Sequence, residues 1–261
     1  MNTEPLDVVP LWCFLPVAMA IGMLAVEGGY RFGKWRRTHA SEEKVGPVGA
    51  MVGSLLALLA IMLAFTFNLA ATRFDARRQA VLEEANAIGT TYLRTRLLPE
   101  PQRAEIAELL RKYTQLRVYS VAEARITEVM TGSEKLHEQI WSRAVAAAEK
   151  TPGSITTGLF LQSLNQMIDL HSKRVLVGLY SRIPISIWVA LFILAILGLA
   201  STGYQAGLSG TRRSPEMPIL TLAFAGVLFL IVDLDRGQEG LLRVSQQPMI
   251  DLLRTMQAAP P

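Results

Sequence analysis

Hydrophobic and polar positions follow two patterns along this chain. Four long apolar runs without a charge, Val8–Val26, Val45–Ala71, Ile183–Ala200 and Met217–Val232, alternate with stretches rich in Arg, Lys and Glu. A helix that crosses a bilayer needs about 20 apolar residues, so the first three runs qualify by length. The fourth is shorter and ends at Asp233, so it either starts nearer Ser214 or sits within a bundle where its ends need not reach the headgroups. The stretch between the second and third runs has a helical period, with Ile106, Leu109, Leu110, Tyr113 and Leu116 at three- and four-residue spacing. No strand-like alternation interrupts it.

Breakers divide that stretch into about four helices. Pro99 and Pro101 end the first, Gly132 with Ser133 is expected to end the second, and Thr151-Pro152-Gly153-Ser154 makes a turn before the last, which runs towards Pro184. Between Phe65 and Arg94 only Gly89 disfavours helix, so the second membrane helix is predicted to continue straight out of the bilayer. The tail from Pro248 to Pro261 has too weak a pattern to place. The expected organisation is an N-terminal membrane hairpin (1–72), a helical extramembrane region (73–182), a C-terminal membrane hairpin (183–235) and a tail (236–261).

Four crossings put both termini and the helical region on one side of the membrane. Lys and Arg near the membrane ends do not say which side. Arg31, Lys34, Arg36, Arg37, Lys44, Arg212 and Arg213 lie on the short loops, against Arg73, Arg77, Arg78, Lys173, Arg174, Arg182, Arg236 and Arg243 opposite. The first run is not a signal peptide, because Met1–Asp7 carries Glu4 and Asp7 and no basic residue. Composition agrees with a membrane protein: 51% of residues are hydrophobic and 18% charged. The net charge of +4 comes from scattered residues, which excludes a nucleic-acid partner.

Enzyme chemistry lacks its usual parts. His39, His137 and His171 are far apart and none has a partner at metal-ligand spacing. The single cysteine, Cys13, lies inside an apolar run and excludes an internal disulfide or a Cys-based zinc site. No nucleotide-binding or nucleophile motif occurs, and the cores of the four membrane runs carry no ionisable residue for proton-coupled transport.

One face of the second run has the makings of a pore. Ser54, Ala57, Ile61, Phe65, Asn68 and Thr72 fall along it, polar at both ends and apolar between. Repeated around a symmetry axis, that face would form a hydrophobic neck of the kind that gates by dewetting. Otherwise it packs within the subunit, with Asn68 bonding another helix. A different face holds Gly49 and Gly53 at a spacing that admits a close helix neighbour. Beyond the fourth run, Asp233, Asp235 and Glu239 offer oxygens to a hard cation such as calcium, although the spacing is not that of an EF-hand loop. Alternatively, the two aspartates pair with Arg236 or with Arg73, Arg77 and Arg78.

Two long runs, LAFTFNLAATRFDARRQAVLEEANAIGTTYLR (Leu63–Arg94) and VDLDRGQEGLLRVSQQP (Val232–Pro248), resemble the signatures of the bestrophin-like family of bacterial membrane proteins. More distantly, the chain is similar to the bestrophins themselves, pentameric ion channels with four membrane segments and a cytosolic helical region between the second and third. Aligning Thr72-Arg73-Phe74 with the corresponding bestrophin sequence puts the three neck positions on Ala57, Ile61 and Phe65, with Asn68, Thr72 and Arg73 at the pore mouth. Leu161–Val189 resembles the bestrophin entry into the third segment. Two departures stand out: Ala57 is smaller than the usual neck residue, and DLDRGQEG has fewer acids than the bestrophin calcium-binding stretch and lacks its Asn-Pro-Phe.

The resemblance implies an all-α integral membrane protein, bestrophin-like and homo-pentameric, in the bacterial inner membrane with its helical region cytoplasmic. Its partners would be lipid, further copies of itself and permeating ions, and its activity passive conduction rather than catalysis. The competing expectation is a membrane-anchored interaction or sensory module that conducts nothing. Arg73 at the mouth favours anions, while Asp233 and Glu84 favour cations, so the pattern leaves ion preference open.

Overall fold

Helix α2 (Val45–Arg94) is the longest element of the chain. Its 50 residues span roughly 75 Å at the usual helical rise, far more than a hydrocarbon layer of about 30 Å. The helix has no internal proline beyond its first turn, and Gly89 does not interrupt it. A computed structural model of the protein describes residues 10–39, 45–119, 126–210, 216–236 and 240–258, and within them every regular element is helical. The other helices are α1 (Leu11–His39), α3 (Gln102–Tyr119), α4 (Ile126–Lys150), α5 (Ile155–Val175), α6 (Ile185–Ser209), α7 (Glu216–Arg236) and α8 (Gln247–Ala258). The chain divides into a membrane unit (1–74 and 182–243) and a helical unit (75–181 and 244–261).

Among the described residues, four helices are long and apolar enough to cross a bilayer. Helices α1 and α6 approach backbone to backbone. A Cβ on Gly29 would fall on the Ala200 carbonyl, one on Gly33 on that of Tyr204, one on Gly203 on that of Val26, and one on Gly207 on that of Tyr30. This is the close approach that small residues four apart allow. Within the subunit, Gly49 and Gly53 make no such approach, because Gly53 has nothing within 4 Å and Gly49 meets only the Gln205 side chain. The core of the membrane unit joins Leu59 and Leu63 of α2 to Phe14, Trp188, Leu191, Leu228 and Ile231. Trp12 and Trp35 are exposed near the two ends of α1, roughly 35 Å apart along the helix, as expected of an aromatic belt at each interface.

The helical unit packs α3, α4, α5, α8 and the C-terminal part of α2 around Ile88, Ile106, Leu110, Tyr113, Ile140, Phe160, Leu164 and Met167. Its breaks follow local chemistry. Past Pro99 and Pro101 the chain enters α3, and Gly153 takes φ +75° ahead of Ser154, whose Oγ accepts the Thr157 N–H and so caps α5. The expected break at Gly132 and Ser133 is not one: both lie inside α4, where Gly132 admits the Leu116 side chain. The weakly patterned tail forms α8 and buries Met249 and Met256. Arg111 Nε and Tyr92 Oη both donate to the Met256 carbonyl, at 3.1 and 3.4 Å.

Candidate functional site

Helix α2 buries one side within the membrane unit and leaves the other open. Val52, Leu59, Leu63, Thr66 and Ala70 are buried, with Leu59 at 0% and Leu63 at 5% exposure. Ser54, Ala57, Ile61, Phe65, Asn68 and Thr72 are all exposed, Ile61 at 54% and Phe65 at 70%. The stripe therefore does not pack within the subunit. Ser54 and Thr72 donate their hydroxyls to the carbonyls of Ala50 and Asn68, at 3.0 and 2.8 Å, which lowers the cost of holding them at membrane depth. Arg73, beside the stripe, is half-buried.

At the end of α7 the two aspartates serve the backbone. Asp233 accepts the N–H groups of Leu241 and Leu242 at 3.0 and 3.2 Å, and Asp235 Oδ1 accepts that of Ile183 at 3.1 Å. Gly240 makes the first contact possible: its φ is +117°, and a Cβ there would strike Asp233 Oδ1. Glu239 lies outside the described residues. Asp233 and Asp235 thus each turn an oxygen to backbone amides, and among the described residues no three His, Cys, Asp or Glu side chains are grouped to hold a metal ion.

The helical unit holds a constellation that the sequence pattern did not point to. Glu84 of α2 is fully buried, and α3 and α5 converge on it. Arg117 donates to both carboxylate oxygens, at 3.0 and 3.3 Å, while Arg174 and the Tyr113 hydroxyl also donate to them. The Tyr113 oxygen is then free to accept from His171 Nδ1 at 3.0 Å. Arg174 also donates to Gln246 Oε1, at the start of α8. Burial pushes the Glu84 carboxyl up, yet the His171 hydrogen bond and the Arg117 and Arg174 charges outweigh it and hold it well below the usual carboxylate range. Burial drives the Tyr113 hydroxyl well above its ordinary value.

Glu84 is thus no open pore acid, and two of the three histidines, His137 and His171, are brought together. The His137 and His171 rings meet edge to face at 4.8 Å, and His137 lies 4.8 Å from Tyr113. Burial, followed by the His171 charge, lowers His137 to about 4. The signal was there in faces: Tyr113 and Arg117 are one turn apart, as are His171 and Arg174, and each pair flanks apolar residues.

The family model for the bestrophin-like domain matches residues 15–249.

The chain belongs to the bestrophin-like family.

Its fold is similar to the crystal structure of a bacterial bestrophin homologue from Klebsiella pneumoniae, at 16% identity and a TM-score of 0.66, covering 95% of this chain and 98% of that one. A variant of the homologue gives a TM-score of 0.68 at 16% identity, with 95% and 99% covered. A further crystal structure, of a membrane protein, gives 0.67 at 16% identity, with 96% and 100% covered. No curated protein matches the sequence. This bestrophin-like chain is a multi-pass membrane protein with an all-helical fold.

Proposed function

We propose that this bestrophin-like chain forms a homo-pentameric ion channel in the bacterial inner membrane, with its helical unit in the cytoplasm. Conduction is passive, not catalytic. Ala57, Ile61 and Phe65 form the neck of an axial pore, and Asn68, Thr72 and Arg73 its mouth. The observation that carries the reading is the exposed stripe of α2, opposite the side that packs on Leu59 and Leu63. Lipid is a poor destination for that stripe, because it would leave the Asn68 amide in hydrocarbon. Around an axis, the same face offers apolar side chains at the neck and polar groups where the pore widens. Phe65 supplies the largest ring and Ala57 the smallest side chain, so the constriction is tightest at Ile61 and Phe65.

Planar-bilayer recording of purified protein under an asymmetric salt gradient tests the assignment. Phe65 is mostly exposed, so Phe65→Ala leaves no cavity in the subunit and is expected to assemble normally while raising conductance severalfold. The sign of the reversal potential then reads anion or cation preference. Unchanged currents from a normally assembled variant would overturn the neck assignment. A monomer or dimer in mild detergent would remove the five-fold axis altogether and favour a non-conducting interaction module.

A further inference from the structure

Helix α4 buries two hydrogen-bonding atoms that the described residues leave unsatisfied. Ser133 is fully buried and its Oγ has no partner, and one turn on the Nε2 of His137 is buried and also without one. Residues four apart project from the same helix face with their Cβ atoms about 5–6 Å apart, so both groups lie on one face of α4. Left without a partner, each group would lose its hydration with nothing in return.

The register of α3 against α4 shows what surrounds them. Arg143 meets Glu105 at 3.0 Å, the His137 ring lies 4.8 Å from Tyr113, and Gly132 packs on Leu116. This antiparallel pairing sets Ser133 level with Leu116 and Arg117. Near His137 stand His171 of α5, Glu84 of α2 and Arg117 of α3, and both oxygens of Glu84 are already taken by donors. Glu134, Lys135 and Glu138 of α4 and Asp169 of α5 are exposed. A hydroxyl and an imidazole N–H, one turn apart and beside the Arg117 guanidinium, form a donor set that attracts negative charge and repels a cation.

We propose that the junction of α3, α4 and α5 binds a small monovalent inorganic anion of halide size, with Ser133 Oγ–H and His137 Nε2–H as its donors. At neutral pH the His137 ring is uncharged, being lowered to about 4 by burial and then by His171, so it offers an N–H without being a cation. An anion beside it offsets the neighbouring positive charge, so binding raises the pH at which His137 takes up a proton, and acid tightens binding in return.

The test uses the full chain in detergent at constant ionic strength, with gluconate replaced stepwise by bromide, and follows the midpoint of thermal unfolding. The midpoint is expected to rise and saturate. Ser133→Ala removes an unsatisfied hydroxyl, so it folds at least as well in gluconate, and it is expected to raise the half-saturating bromide concentration roughly tenfold or more. His137→Phe is expected to abolish the response, and His137→Gln, which keeps an N–H donor, to restore part of it. The NMR titration of labelled His137 is expected to move to higher pH in bromide. Phe65→Ala is expected to keep the full response, which separates this site from halide held in a pore. Equal midpoints in bromide and gluconate would overturn the proposal, because the site would then hold water or nothing. An undiminished response in both Ser133→Ala and His137→Phe would overturn it too, because bromide would then bind elsewhere.

Discussion

In the membrane unit α1 meets α6 through Gly29, Gly33, Gly203 and Gly207, carbonyl against bare Cα, whereas the helical unit interleaves Tyr113, Phe160, Leu164 and Met167 around a buried carboxylate. The contrast follows from the solvent each unit faces. Lipid tails are as apolar as Leu, so burying a large side chain between membrane helices gains little, and contact comes from bringing backbones close enough for dispersion and weak C–H···O bonds. Water rewards large side chains in a core, and such a core tolerates a charge only when several donors surround it. Each unit is therefore weakest at a different kind of position: a missing side chain in one, a charged one in the other.

The sharpest way to break the comparison is to add a side chain to the seam. Gly203→Leu puts a Cβ on the Val26 carbonyl, and neither backbone can give way without separating the helices. A loss of more than about 3 kcal/mol is expected, at the upper end of overpacking effects, read as loss of folded protein on size exclusion. Gly226→Ala is the control: a Cβ there meets nothing within 4 Å, and the unit is expected to tolerate it. An equal loss from both substitutions would show that the seam has no special role.

In the helical unit the matching break is Glu84→Gln. It leaves the Arg117 and Arg174 guanidiniums without the carboxylate they share. The expected cost is about 3–5 kcal/mol, that of unpairing a buried charge, seen as a lower denaturant midpoint with an unchanged slope. If the cost stayed near 1 kcal/mol, the range for an ordinary hydrogen bond, the cluster would be better solvated than its burial implies.

The sequence disclosed the two units unequally. Long apolar runs mark the membrane helices plainly, and the turn at Thr151–Ser154 and the unbroken run of α2 were readable because Pro, Gly and a capping Ser act locally. Which face of a membrane helix points inward was not readable, because apolar residues cover all sides. That is why the sequence pattern pointed to Gly49 and Gly53 and not to the two pairs that form the seam. In α4, packing against Leu116 overrides the poor helix propensity of Gly132. Glu84, His137 and His171 come together only in three dimensions, so spacing along the chain could not pair them. The α2 stripe was visible by period, but its exposure needed the structure.

Acid sharpens the comparison further, since it acts on the helical unit's cluster. His137 ionises near 6.5 when unfolded and about 4 when folded, so the unfolded chain binds more protons between those values. Stability is complete above pH 6.5, falls as pH drops towards 4, and levels off below for this group, with a slope of at most one proton. Glu84 is held below its ordinary value, so its contribution is lost in still stronger acid. Melting midpoints from pH 7 to 4 are expected to decline for the unaltered protein and to stay flatter for His137→Phe. Parallel curves would mean that His137 is not the group being protonated.

The smallest expected effect tests whether the helical unit also depends on local signals. Ser154 Oγ accepts the Thr157 N–H at 3.3 Å, a long bond, and also pairs with the Thr156 hydroxyl at 2.8 Å. Ser154→Ala leaves the first amides of α5 without that acceptor, and the loss is expected to be about 1 kcal/mol. Ser154→Asp restores an acceptor, and its charge favours a helix N-terminus, so it is expected to match the unaltered protein. Because α5 carries both His171 and Arg174, fraying at its start would reach the cluster only if the helix melted over several turns. An unchanged acid profile in Ser154→Ala is therefore expected alongside the modest loss, and a shifted profile would show that the cap and the cluster unfold together.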